Sequence, residues 1–138
     1  MQLKEIMTTD VVLIAPTDNI TKAAQMMRDQ DIGMIPVGEN DRLIGSITDR
    51  DIVIKSTVEG KSPALTTVRD VMSGTIIYGY EDDSVDDGAE TMRRHKVRRL
   101  PVINRDKRLV GIISIGDIAK AGQGVEKGGE TLAAIAEA

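Results

Sequence analysis

A shift of 65 positions lays much of this 138-residue chain over itself, and that internal repeat constrains the fold more than any other feature of the sequence. Met7 falls on Met72, Asp18 on Asp83, Ala24 on Ala89, Met27 on Met92 and Arg28 on Arg93. Ile35-Pro36-Val37 falls on Leu100-Pro101-Val102. Past Asp41 and Asp106 the shift grows by one, and Leu43-Ile44-Gly45 meets Leu109-Val110-Gly111. Ile47, Asp51 and Ile52 then meet Ile113, Asp117 and Ile118. The extra residue lies in a polar stretch, Glu39 to Arg42 against Asn104 to Arg108, where a turn absorbs it without moving the strands on either side. An ordered series of matches with one loop insertion is the mark of a duplicated unit.

Each copy reads in the same order: strand, helix, strand, strand, helix. Val11-Val12-Leu13-Ile14 and Ile76-Ile77-Tyr78 are short β-branched runs and predict strands. Thr17-Asp18-Asn19 and Asp82-Asp83-Ser84 supply N-cap oxygens for the helices that follow. Ile20, Ala23, Ala24 and Met27 have helical spacing, as do Val85, Gly88, Ala89 and Met92. Two strands come next, Met34 to Val37 with Leu43 to Thr48, and Arg99 to Ile103 with Leu109 to Ser114. A last helix is expected from about Asp49 and about Ile115. The class is α+β, two repeated β-α-β-β-α units. The expected division is residues 1–58, a linker over 59–68, residues 69–121, and a tail over 122–138 that either frays or forms a short helix. A unit of this size has little core, so the two are expected to share an interface.

Composition removes several chemistries. The chain has no Cys, Trp or Phe, so no thiolate nucleophile or thiolate metal site is available, and the core must be aliphatic. Its one histidine, His95, sits in Arg93-Arg94-His95-Lys96, which reads as a solvated helix end. A formal net charge of −4 argues against general binding to nucleic acid or to an anionic membrane. No apolar run reaches the roughly 20 residues of a membrane span, and the N-terminus lacks the apolar stretch of a signal peptide. The expected compartment is the cytoplasm.

Both copies end in Gly-x-Ile-[Thr/Ser]-x-x-Asp: Gly45 to Thr48 and Asp51, and Gly111 to Ser114 and Asp117. A hydroxyl at a strand end and a carboxylate three residues later form a helix capping box. The same atoms suit another task. A carboxylate accepts both hydroxyls of a ribose diol, and a hydroxyl beside helix N–H groups faces a phosphate. In the second copy Arg98-Arg99 precede Leu100-Pro101-Val102, where strand propensity gives no reason for two adjacent arginines.

With these motifs in both copies and in order, residues 1 to about 121 resemble a tandem pair of CBS (cystathionine β-synthase) domains, a Bateman module. The resemblance implies two units packed sheet to sheet about a pseudo-twofold axis, and often a homodimer in the form of a flat four-unit disc. It implies two clefts that take adenosine derivatives: AMP, ADP, ATP or S-adenosylmethionine. It implies a regulatory role with no catalysis; with no Cys and one His the residues offer no metal-ligand cluster, and no obligatory cofactor is expected.

Carried over by position, one cleft pairs Thr48 and Asp51, on the ribose, with Ile76 and Ile77, along the adenine. Arg99 matches a basic residue that meets phosphate in the gamma subunits of AMP-activated kinase. Arg98 stands where those subunits carry a histidine. Arg69 and Arg50 are further candidate phosphate cations. The other cleft pairs Ser114 and Asp117 with Val11, Val12 and Met34. Its counterparts of Arg98, Arg99 and Arg50 are Gly33, Met34 and Gly116, with Lys4 its one obvious cation. The first cleft is therefore expected to hold the more highly charged ligand. The sensing reading further implies an effector protein in trans. The alternative is an oligomerisation or protein-interaction module with vestigial clefts.

Overall fold

The computed structural model describes residues 1–122, which form two compact units. The central unit is Val12–Ile76; the terminal unit joins Met1–Val11 to the chain from Ile77 onward. Among the described residues no helix is long and apolar enough to cross a membrane.

In the central unit α1 (Ile20–Gln30) starts at Asn19, whose side chain accepts from the Lys22 amide at 2.9 Å. It stops at Asp31, which takes the left-handed conformation that closes a helix. Strands β1 (Met34–Glu39) and β2 (Arg42–Thr48) pair antiparallel around a two-residue turn. Both turn residues, Asn40 and Asp41, have positive φ, the geometry that matches the twist of a tight hairpin. Helix α2 (Asp49–Ile52) runs on into a π-helical turn, Val53–Thr57, and α3 (Val68–Val71) follows. Ile20, Ala23 and Met27 line the buried stripe of α1 against Ile14, Ile35, Val37 and Ile47. Ala24, expected on that stripe, is one step round the helix and exposed.

The terminal unit repeats the plan: β3 (Gly79–Tyr80), α4 (Val85–His95), β4 (Arg99–Ile103), β5 (Leu109–Ser114) and α5 (Ile115–Lys120). Its sheet has the order β3-β4-β5, with β3 parallel to β4. The inserted residue lies in the β4–β5 turn, as expected from the repeat. Of the tail over 122–138, only Gly122, at φ +74° past the end of α5, is among the described residues.

The expected strands Val11–Ile14 and Ile76–Tyr78 are not formed as such. Ile14 makes a single parallel bridge to Val37, and the second run pairs only at Gly79 and Tyr80. The reason is the proline that follows in each repeat. Ile14 is held by its N–H on the Pro36 carbonyl and by the Gly38 N–H on its own carbonyl. One step back, the Val12 carbonyl would need an N–H from residue 36, and proline has none. Pro101 cuts the β3 ladder short of Ile77 in the same way. Among the described residues, no backbone hydrogen bond reaches residues 11–13 or 76–78.

The compact units also differ from the repeat boundaries. The segment that leads into each repeat packs on the unit built from the other repeat. Leu3, fully buried, joins Val85, Ala89, Met92, Leu100 and Ile113, while Val68 and Val71 join the central core. Each lead-in also pairs with a sheet. Thr8 and Ile112 exchange N–H···O bonds of 2.9 and 3.0 Å, and Ser73 and Ser46 do the same at 2.9 and 3.0 Å. This explains the motif glycine. A Cβ on Gly45 would collide with the Ser73 carbonyl, and one on Gly111 with the Met7 side chain. A carbonyl in a paired segment cannot move aside, whereas a methionine side chain can turn. Gly45→Ala is therefore expected to cost about 1–3 kcal/mol, and Gly111→Ala less. Urea unfolding of the two variants checks the order, and equal costs would contradict it.

Candidate functional site

The two strand-to-helix junctions carry the sequence motif in matching geometry. Thr48 ends β2 and caps α2: its Oγ1 accepts from the Asp51 amide at 3.0 Å, and its own N–H donates to Asp51 Oδ2 at 3.0 Å. Ser114 ends β5 and caps α5, with Asp117 N–H to Ser114 Oγ at 3.2 Å and Ser114 N–H to Asp117 Oδ2 at 2.9 Å. The capping reading of the motif is thus realised in both units. Capacity remains beyond it. A carboxylate has about four lone-pair positions, and each hydroxyl still has a proton to donate. Asp51 is the more heavily engaged, because Lys55 Nζ also lies 3.2 Å from its Oδ1.

Beside each junction stands the start of the Pro-containing strand. Met34 is the register partner of Thr48, and Arg99 that of Ser114, so each pair shares one face of its sheet. A backbone bond ties the same corner in both units: Asp49 N–H to the Gly33 carbonyl at 3.0 Å, and Ile115 N–H to the Arg98 carbonyl at 3.2 Å. Arg98 and Arg50 are exposed and Arg99 is half-buried. Among the described residues, the side chains of these three arginines have no hydrogen-bond or ion-pair partner.

The structure divides the candidate residues by unit. Thr48, Arg50, Asp51, Arg69, Ile76, Val12 and Met34 belong to the central unit; Val11, Ile77, Arg98, Arg99, Ser114 and Asp117 belong to the terminal one. Within the central unit Thr48, Asp51 and Met34 come together, and within the terminal unit Arg98, Arg99, Ser114 and Asp117 do. Arg69 does not join them. Its Nη2 lies 2.9 Å from Glu39 Oε2, at the hairpin-turn end of the central sheet, whereas Thr48 is at the far end of β2. Six residues of strand, roughly 20 Å, separate those ends, beyond the reach of one side chain. Val11, Val12, Ile76 and Ile77 are half-buried in the two stretches whose backbone groups have no ladder partner.

A further cluster follows Ile77 directly and has no counterpart in the first repeat, which has Leu13, Ala15 and Thr17 at the positions of Tyr78, Tyr80 and Asp82. The two tyrosine rings meet edge to face with centroids 5.5 Å apart. The Arg105 guanidinium lies 4.0 Å over the Tyr80 ring and donates to both oxygens of Asp82, at 2.8 and 3.1 Å. Lys107 Nζ donates to the Tyr80 hydroxyl at 2.6 Å. That hydrogen bond, with a second from Tyr78, lowers the Tyr80 pKa below the ordinary phenol value and raises that of Lys107 in return. The Arg105 hydrogen bonds likewise lower the Asp82 pKa. Repeat matching passes over this cluster because it is what the copies do not share. Its signal was the confinement of the chain's only aromatics to Tyr78 and Tyr80.

The lowered Asp82 value has a sign that can be checked. The folded carboxyl holds its proton more weakly than the unfolded one. Its stabilising contribution is therefore full above the ordinary aspartate value of about 3.9 and is lost as the pH falls through the lowered one. An NMR titration of the Asp82 carboxyl carbon is expected to show a midpoint below that value, and Arg105→Ala to raise it. An unchanged midpoint in the variant would refute the pairing.

Among the described residues, no group of three or more His, Cys, Asp or Glu is placed to hold a metal ion. A family model described as "CBS domain" matches residues 3–56 and again 68–124. The CBS domain-containing protein YhcV of Bacillus subtilis is 37% identical over 133 residues, which is 96% of this chain and 94% of the relative. Hypoxic response protein 1 of Mycobacterium tuberculosis is 41% identical over 118 residues, 85% of this chain and 82% of the relative. The crystal structure of Hypoxic Response Protein I with two coordinated zinc ions matches with a TM-score of 0.78 at 40% identity, over 87% of this chain and 98% of that one. The CBS domain pair of protein MJ0100, solved with 5-methylthioadenosine and S-adenosyl-L-methionine, matches with a TM-score of 0.73 at 26% identity, over 88% and 98%.

Proposed function

The chain belongs to the CBS-domain family, as a tandem pair, and from that membership we propose that it is a non-catalytic regulatory module that binds an adenosine derivative and passes the resulting change of shape to a partner protein. The observation that carries the reading is the pair of β-branched stretches, 11–13 and 76–78, left off the ladders by Pro36 and Pro101. Backbone donors and acceptors that no ladder uses are available to a ligand, and a purine edge offers both kinds of partner. Aliphatic side chains on the same stretches then cover the faces of the base, which suits a chain with no ring to spare for stacking. The 5-methylthioadenosine and S-adenosyl-L-methionine of the MJ0100 pair are ligands of this chemical class.

In this reading one site takes Thr48, Asp51, Arg50 and Ile76 from the central unit and Ile77, Arg98 and Arg99 from the terminal unit. The other takes Ser114, Asp117 and Val11 with Val12 and Met34. Asp51 and Asp117 accept the ribose hydroxyls. Arg50, Arg98 and Arg99, whose side chains have no partner among the described residues, meet phosphates, at about 1.5–3 kcal/mol for each charged hydrogen bond, so AMP, ADP or ATP should favour the first site. Arg69 is not among them: its amide is bonded to the Pro16 carbonyl and its guanidinium lies beside Glu39, at the end of the central sheet away from Thr48. The ligand acts as a switch only if it binds one arrangement of the module more tightly than another. Two copies pair into the functional module.

One observation favours the alternative, an interaction module with vestigial clefts: both oxygens of Asp51 already have partners within the protein. A thermal-shift series with AMP, ADP, ATP and S-adenosylmethionine separates the two. A ligand at 100 times its dissociation constant adds about 2.7 kcal/mol of stability. No shift with any of the four would favour the alternative.

A further inference from the structure

The carboxylates of the two capping boxes are bound alike at one oxygen and differently at the other. Asp51 Oδ2 accepts the Thr48 N–H at 3.0 Å, and Asp117 Oδ2 the Ser114 N–H at 2.9 Å. The other oxygen of Asp51 faces a cation, with Lys55 Nζ 3.2 Å from Oδ1. On the shift that lays Asp51 over Asp117, Lys55 falls on Ala121, which has no charge to offer. Lys55 stands in the π-helical turn that continues α2. The backbone there is anchored, because Ser56 is fully buried and its carbonyl accepts from the Lys61 amide at 3.1 Å. The lysine side chain itself is 45% exposed, against 16% for that of Asp51. An ion pair so open to water adds little to stability, and holding the helix together is a weak reason for it. Its consequence falls on Asp51. Oδ1 is the oxygen that the cap leaves over, and a ribose diol needs both oxygens of the carboxylate.

We propose that Lys55 makes the first site selective for phosphorylated adenosine derivatives over neutral ones. The inference rests on the nucleotide reading above and adds a residue that decides which ligands the site prefers. A neutral nucleoside that reaches Asp51 Oδ1 must part the ion pair and gives the ammonium no anion in exchange. A nucleotide brings its own anion. The lysine ammonium, on its flexible four-carbon stem, can turn from the carboxylate to a phosphate without any movement of the backbone. The arginines of the site attract phosphate, whereas Lys55 also penalises its absence. The residue acts through Asp51, by governing when the second carboxylate oxygen is open to the ribose. Ala121 imposes no such condition on Asp117, so the second site accepts neutral and charged ligands on more equal terms.

The test is calorimetric titration of adenosine and of ADP into the full chain carrying Asp117→Ala, so that only the first site is read. Lys55→Met keeps the length of the side chain and removes its charge. Adenosine is expected to bind this variant at least about threefold more tightly, and ADP at least about threefold more weakly. The preference for ADP over adenosine then falls about tenfold. Lys55→Arg, which keeps the charge, is expected to hold the preference of the parent. A purely structural lysine would move both ligands the same way. That result, an unchanged preference in Lys55→Met, or an arginine variant that behaves like the methionine one would each overturn the proposal. Binding by the unsubstituted protein that Asp117→Ala alone removes would overturn it too, since the first site would then be idle. No binding of either ligand by the unsubstituted protein would instead overturn the nucleotide reading, and this inference with it. The two failures are therefore distinct: one shows binding that ignores Lys55, the other no binding with Lys55 in place.

Discussion

Leu3→Ala is expected to destabilise the protein by about 2–5 kcal/mol, the range for a leucine removed from a close-packed core. Position alone suggests the reverse, since the first residues of most domains are dispensable. Here Leu3 is fully buried in the terminal core, and its methyl groups fill the space that Gly79 and Gly88 leave by having no Cβ. The cavity left by alanine would have walls of strand and helix backbone, which relax little. The Leu3 amide is also tied to the Asp83 carbonyl at 2.9 Å, so the segment cannot slide to refill it. Leu65→Ala is the matched control. That side chain is 86% exposed, and its loss should stay within about 0.5 kcal/mol although it lies in mid-chain. Urea denaturation followed by circular dichroism measures both. Equal costs would mean that the lead-in segment does not contribute to the terminal core.

Asp51→Ala is expected to weaken nucleotide binding by about a hundredfold or more. Two charged hydrogen bonds to a ribose diol are worth about 1.5–3 kcal/mol each, and 1.4 kcal/mol is a factor of ten. Asp117→Ala is the necessary comparison, because it removes the same half of a capping box from the other unit. The two variants should lose similar small amounts of stability, so a difference in nucleotide affinity reports on the ligand and not on the cap. If only Asp117→Ala abolished binding, the phosphate-bearing site would be the other one. Arg99 sharpens the comparison, since in the structure it faces Ser114 across its own sheet. Calorimetric titration of ADP into Arg99→Ala, Asp51→Ala and the double variant gives their coupling energy. Additive losses would place Arg99 outside the Asp51 site, and the cycle with Asp117 would then show whether it serves Ser114.

The order of residues alone makes legible the duplication, the α+β class, the order of the long helices and hairpins, the aliphatic core, and the pairing of Thr48 with Asp51 and Ser114 with Asp117. The duplication shows in the 65-residue shift and the aliphatic core in the composition; the rest follow from periodicities and spacings within a few residues, where neighbours along the chain are neighbours in space.

Three things were decided only by tertiary structure. The expected strands at 11–14 and 76–78 depend on whether a distant partner offers an N–H, and Pro36 and Pro101 do not. The lead-in segments exchange units because Leu3 and Val68 find their buried surroundings on elements far away in sequence, which no local pattern records. Arg69 is separated from Thr48 by the length of a strand because its amide is bonded to the Pro16 carbonyl, where Glu39 is the carboxylate within reach, and a cation's partner is chosen by what the fold brings near it. Local spacing specifies which atoms are available at each junction. Long-range packing and hydrogen-bond supply decide which of them meet.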